Sequence, residues 1–169
     1  MHSACRIREP RNEHPAPASA AWDDEVMSRT VNPRTVTLTR DSVGVYTATN
    51  AHGATLQFGR GDGLLTPVEL LLAAIAGCSS VDVDFMTSRR AEPTKFEATA
   101  EADYVNDDET GNILENIRVT FDLQFPDGKE GDKARARIAA ALAASHEREC
   151  TVSRTVEAGT PVQLVQKHH

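Results

Sequence analysis

The chain has 169 residues, enough for one domain with a real core, and a formal net charge of −7 that argues against nucleic acid as a partner. Its three cysteines are widely spaced and form no C-x-x-C, which excludes a disulfide scaffold and a zinc ribbon. The longest apolar run ends at Asp82, short of a charge-free membrane span, and no apolar signal core opens the chain. The expectation is a cytoplasmic, reducing location with no membrane partner, where paired cysteines are more often catalytic than structural.

Residues 1–33 read as a flexible tail ahead of a domain over 34–169. Pro10, Pro15 and Pro17 interrupt the tail, and its charges follow no period. Met27 offers an alternative start, and Cys5 in this tail is assigned no chemistry. From Thr35 the pattern changes. Val36 and Leu38, then Val43, Val45, Tyr46 and Ala48, suggest two short strands joined near Arg40-Asp41-Ser42. Asn50-Ala51-His52-Gly53 signals a turn, and Ala54 to Phe58 reads as a third strand. The Gly59–Gly63 loop lacks the Gly-Lys-Ser/Thr ending of a phosphate-binding loop and reads as a linker.

A helix follows over residues 66–86. Thr66 suits its cap, Pro67 its first position, and Glu69 falls at the capping-box spacing. Arg89 and Arg90 complement the far end of its dipole, and Pro93 stops it. The first half is apolar on nearly every side, which predicts a buried helix. Leu71, Ala74, Cys78, Val81 and Phe85 share one stripe, so the plain reading of Cys78 is a small core residue.

Two alternating segments come next, Phe96 to Tyr104 and Ile117 to Phe125, each with one apolar and one solvated face. The turn around Gly111 joins them as a hairpin. Asp132 to about Glu149 reads as a second helix, with Ala136, Ala139, Ala140 and Ala143 as a small-residue packing face. Cys150 opens a short further helix that ends at Gly159. Pro161 to Val165 reads as a final strand. The order predicts an α+β fold with antiparallel sheet.

Cys150 differs from Cys78 in its surroundings. At the start of a helix, backbone N–H groups and the dipole favour a thiolate, and Arg148 and Arg154 are near in sequence. An ordinary cap-region cysteine is the plain alternative. His146 and Cys150 stand at i, i+4, but two ligands without further partners make no metal site.

Pro67-x-Glu69-Leu70 running into Ala73-Ala74-x-Ala76-Gly77-Cys78, with Cys150-x-Val152-Ser153-Arg154-Thr155-Val156-x-x-Gly159-x-Pro161-Val162 downstream, resembles the OsmC/Ohr family of osmotically inducible proteins and organic hydroperoxide reductases. The resemblance covers about residues 35–166 and points to a less-characterised OsmC-like branch. It implies an intertwined homodimer, with antiparallel sheets wrapped around two long central helices. It further implies thiol-dependent reduction of peroxides, organic ones preferred, with no metal or cofactor. Cys78 would be the peroxidatic thiolate and Cys150 the resolving thiol, and an external dithiol would reduce their disulfide.

The family activates its thiolate with an arginine held by a glutamate at the start of the central helix. By position Arg40 is the candidate arginine, with Arg60 next, and Glu69 is the candidate glutamate. The family's peroxidase branches place that glutamate directly after the proline, where this chain has Val68. Adjacent helical positions point about 100° apart. Glu69 is therefore equally a capping residue. The alternative reading is a non-enzymatic dimer that binds a hydrophobic small molecule at the subunit interface.

Overall fold

A computed structural model describes residues 30–109 and 111–167. The expected tail, with Cys5 and Met27, lies almost wholly outside the described residues. Three strands come first: β1 (Val36–Ser42), β2 (Val45–Asn50) and β3 (Thr55–Gly59), an antiparallel sheet in the order β1-β2-β3. Helix α1 (Pro67–Thr87) follows, then the antiparallel hairpin of β4 (Lys95–Asp107) and β5 (Gly111–Gln124). Helix α2 (Lys129–Ala144), a π-helical turn (Ser145–Glu149) and helix α3 (Thr151–Glu157) complete the chain. The fold is α+β with antiparallel sheets, as the element order predicts.

The first hairpin turns later than expected, at Val43-Gly44, so Arg40 lies within β1 opposite Tyr46. Asp41 sits at an irregularity in the ladder and accepts hydrogen bonds from Thr47 Oγ1 (2.7 Å) and Gln57 Nε2 (3.0 Å), which tie all three strands together. Gly59 closes the sheet where only glycine fits. Its φ is 137°, and an added Cβ would lie 2.1 Å from the Gly44 carbonyl oxygen. Arg60 N–H donates to that same carbonyl (2.8 Å), and Gly59 N–H donates to Leu65 O (2.9 Å), which aims the chain into α1.

Helix α1 starts as read. Glu69 N–H donates to Thr66 Oγ1 (3.3 Å), and Thr66 N–H donates to Glu69 Oε2 (2.6 Å), a complete capping box with Pro67 at the first position. The helix ends with Ser88 bonded to Asp84 through both N–H and hydroxyl. Arg89 does not cap that end; its guanidinium lies 4.2 Å over the Phe85 ring. By length and composition α1 could cross a membrane, but it packs against α2, β4 and α3 as a core helix does.

Which face of α1 is buried differs from the expectation. Ile75, Val83 and Thr87 are buried. The predicted core stripe points outward instead, with Val81 70% and Phe85 64% exposed and Leu71 and Ala74 also uncovered. A helix apolar all round carries two competing stripes, and the i, i+4 row through Ile75, Ser79 and Val83 is the one that meets its own chain.

Helix α2 shows a similar reversal. Gly131, Ala134 and Ala141 are buried, whereas Ala136, Ala139, Ala140 and Ala143 are exposed. Ile138 and Leu142 lie on the same side as Ala134 and Ala141, so the larger side chains choose the face. In β4 an irregularity between Glu101 and Asp103 breaks the alternation, and Tyr104 turns outward instead of joining Phe96, Ala98, Ala100 and Ala102. Pro161 to Val165 forms no strand, and Val162, Leu164 and Val165 stand exposed. Led by a proline without an N–H, this short run gains no ladder from its own chain.

Gly59→Ala is expected to lower the stability of the fold by about 3 kcal/mol, through backbone strain and collision with the Gly44 carbonyl. Urea unfolding should show a lower midpoint with an unchanged slope, and a change within about 0.5 kcal/mol would contradict this account of the turn.

Candidate functional site

The site is built where α2 runs out. The last α2 residues do not continue as regular helix. Cys150 N–H reaches back five residues to Ser145 O (2.9 Å), which widens the final turn. Ser145 is buried, and its hydroxyl donates to Asp82 Oδ2 (2.8 Å), anchoring the turn to α1. The backbone at Cys150 then becomes extended (φ −70°, ψ 95°), and Cys150 caps α3. The turn and the cap together place the Cys150 sulfur against α1.

Three polar groups from two elements converge on that sulfur. The Ser79 hydroxyl of α1 donates to Cys150 Sγ at 3.4 Å, and Ser153 N–H of α3 does so at the same distance. Ser153 Oγ lies 3.1 Å away. Cys150 is 0% exposed. Cys78, next to Ser79 on α1, is half-buried, and it lies near enough to Cys150 for each thiol to affect the other's charge. Both thiols are free.

The two sulfurs are pushed in opposite directions. Burial pushes the Cys78 thiol up. The Val152 backbone N–H offsets part of this, while the hydrogen bond and charge of Cys150 and the charge of Asp82 add to the rise. Burial also pushes the Cys150 thiol up, but the Ser153 hydroxyl, the Ser79 hydroxyl, Ser153 N–H and the Cys78 thiol outweigh it. They hold Cys150 below the ordinary thiol value.

Of the four residues singled out from the sequence, the structure brings two together, Cys78 and Cys150. Glu69 is exposed, and its carboxylate is committed to the Thr66 N–H, which holds it below the usual carboxylate range. Arg40 is an exposed residue of β1, and Arg60 follows β3 with its N–H on Gly44 O. None of the three is among the groups that act on Cys78 within the chain. Sequence reading missed Ser79 and Ser153 as neighbours of the Cys150 sulfur. The i, i+3 spacing of Cys150 and Ser153 at a helix start was the available signal.

A cavity of about 440 Å³ opens beside this site. Ile75, Ile117, Phe121 and Leu142 give it apolar walls, and Ser79 and Ser153 line it on the side that also touches Cys150. Among the described residues, no group of three or more His, Cys, Asp or Glu side chains converges as a metal site would.

The model of the OsmC-like protein family matches residues 59–165, which includes α1, the hairpin, α2, α3 and both thiols. The chain belongs to the OsmC-like family. Solved structures agree on the fold of this OsmC-like protein. A hypothetical protein from Aquifex aeolicus VF5 is 22% identical with a TM-score of 0.60, over 77% of this chain and 91% of that one. An OsmC-like protein of unknown function from Vibrio cholerae is 11% identical with a TM-score of 0.61, over 75% and 95%. An OsmC-like protein from Mycoplasma pneumoniae is 13% identical with a TM-score of 0.59, over 76% and 89%. No functionally curated protein matches the chain.

Asp82→Asn keeps an acceptor for Ser145 and removes a charge that disfavours the Cys78 thiolate. In a Cys150→Ser background, Cys78 alkylation by iodoacetamide at neutral pH should quicken about twofold to threefold, with the pH profile moved to lower pH. An unchanged profile would contradict the electrostatic reading of Asp82.

Proposed function

We propose that this OsmC-like protein is a thiol-dependent peroxide reductase, with organic hydroperoxides as preferred substrates. The observation that carries the proposal is the meeting of α1 with the start of α3, where Ser79, the neighbour of Cys78, donates to the Cys150 sulfur and both thiols are free. The family resemblance supplies the reaction class, and the apolar cavity beside the serines supports an organic substituent on the peroxide.

Exposure is in keeping with the roles that the family resemblance implies. Cys78 is the half-buried thiol that a peroxide can reach, and Cys150 is the fully buried partner. The Cys78 sulfur attacks the terminal peroxide oxygen. The O–O bond breaks, an alcohol leaves, and Cys78 becomes a sulfenic acid. The Cys150 sulfur then attacks Cys78, expels water and closes a disulfide, which an external dithiol reduces by exchange. Two electrons leave the thiol pair, and the hydroperoxide becomes an alcohol and water. The proposal assigns no role to Arg40 or Glu69.

The working unit is proposed to be a homodimer. The outward stripe of α1, with Leu71, Val81 and Phe85, supports this, because an apolar helical face of this length is stable in water only when covered. The cavity also fits a second reading, non-redox binding of a hydrophobic small molecule, and the peroxide experiment separates the two.

One equivalent of an organic hydroperoxide added to reduced protein should remove two of the three thiols rapidly, and Cys78→Ser should consume no peroxide. If wild-type thiols persist as an ordinary exposed cysteine does, the binding reading replaces the reductase. Separately, Val81→Asp with Phe85→Asp should shift the sedimentation coefficient from dimer to monomer. Retention of the wild-type assembly would contradict the α1 interface.

A further inference from the structure

The cavity of about 440 Å³ has walls from α1, β5, α2, the π-helical turn and α3. Its α1 wall is Ile75 and Ser79, on the row that meets the same chain. It therefore lies across α1 from the outward row of Leu71, Val81 and Phe85, and a second copy seated on that row leaves it in place. Most of the lining is apolar, with Ile75, Ile117, Phe121, Leu142 and Val156. An apolar cavity of this size takes a small organic molecule, and its few polar groups decide which one.

Several of those groups offer acceptors. The Ser79 hydroxyl gives its hydrogen to the Cys150 sulfur, and the Ser145 hydroxyl gives its hydrogen to Asp82. A hydroxyl has a single hydrogen, so both present only oxygen lone pairs to a further partner. Where α3 meets the π-helical turn, Glu157 adds a carboxylate 3.5 Å from His146 Nδ1, and more than half of each side chain is exposed. We propose that the cavity takes apolar molecules that carry a hydrogen-bond donor, such as an alcohol or an amine, and that Glu157 is the specificity-determining residue that turns carboxylates away. This rests on the reading of the cavity as the place of the organic substituent, and it names that substituent's class as neutral or cationic.

The chemistry of each head group follows from these acceptors. An alcohol donates its hydrogen to a serine oxygen or to Glu157. An ammonium donates to Glu157 and gains from its charge. A carboxylate brings no hydrogen, gives up water to enter an apolar cavity and meets like charge at Glu157. Water reaches Glu157 and weakens both charge effects, so attraction and repulsion are each worth about threefold to fivefold in affinity. His146 offsets the charge of Glu157 when it is protonated, so the comparison belongs above the ordinary histidine range.

Probes without an O–O bond separate this specificity from peroxide chemistry. Hexan-1-ol, hexylamine and hexanoate share one apolar chain and differ at the head. Their binding to the reduced full chain is measured by calorimetry at about pH 8. The alcohol and the amine should bind, the amine about tenfold more tightly than hexanoate. Glu157→Gln, at an exposed position, should bring amine and hexanoate within about threefold of each other, and Glu157→Lys should reverse their order. Val156→Trp, on the exposed part of the lining, should weaken all probes alike, as occupants of one cavity. The proposal is overturned if hexanoate binds wild type as tightly as the amine does, if Glu157→Gln leaves the order unchanged, if Val156→Trp has no effect, or if no probe binds. Peroxide consumption by wild type is read separately. Its absence with the probe order intact removes the reductase and leaves the specificity, and its presence without that order removes the specificity alone.

Discussion

A sulfur at position 150 is closed off from water and bonded to Ser79 of α1 and Ser153 of α3, and much of the C-terminal half is arranged to make that possible. A buried polar sulfur is costly unless donors replace the water it has lost. The donors here come from two helices, so α1 and α3 must be held in register. The π-helical turn does this by ending α2 early, while the Ser145–Asp82 hydrogen bond ties that turn to α1. The 0% exposure of Cys150 and the partial exposure of Cys78 then divide the pair into a protected sulfur and a reachable one.

Helix α1 has to satisfy three demands at once. Its row through Ile75 and Val83 meets its own chain, its row through Val81 and Phe85 faces outward, and Cys78 is the half-buried member of that outward row. That position brings Cys78 close to Cys150 without enclosing it. It would also put the thiol at the margin of a dimer contact, if the outward row meets a second copy. Small side chains near it, Ala74, Gly77 and Ser79, leave room for close approach from either side.

The capping box of α1, the two-faced strands of the hairpin and the helix start at Cys150 were legible because each is a local signal, fixed by residues within one turn or one strand. The choice of buried face was not. Leu71 to Phe85 and Ile75 to Val83 are both good apolar rows, and alanine at four exposed positions of α2 carries too little preference to mark a side. Tyr104 was misplaced because the ladder shift at Glu101/Asp103 has no signature in residue type. At the site, Cys78 and Cys150 were found through their motifs, whereas Ser79 and Ser153 were passed over as ordinary polar residues. Their role exists only because distant segments meet. Glu69 could be read as cap or as catalytic partner, and the bond to Thr66 N–H shows where its carboxylate is engaged.

The pairing of Cys78 with Cys150 bears the weight of the account, and a non-reducing peptide map of protein treated with a single equivalent of organic hydroperoxide tests it directly. The account predicts one dominant cross-linked species joining the α1 peptide that holds Cys78 to the peptide that holds Cys150, formed within one chain and lost on adding dithiol. A map showing over-oxidised Cys78 with Cys150 still free, or cross-links only between chains, would contradict it.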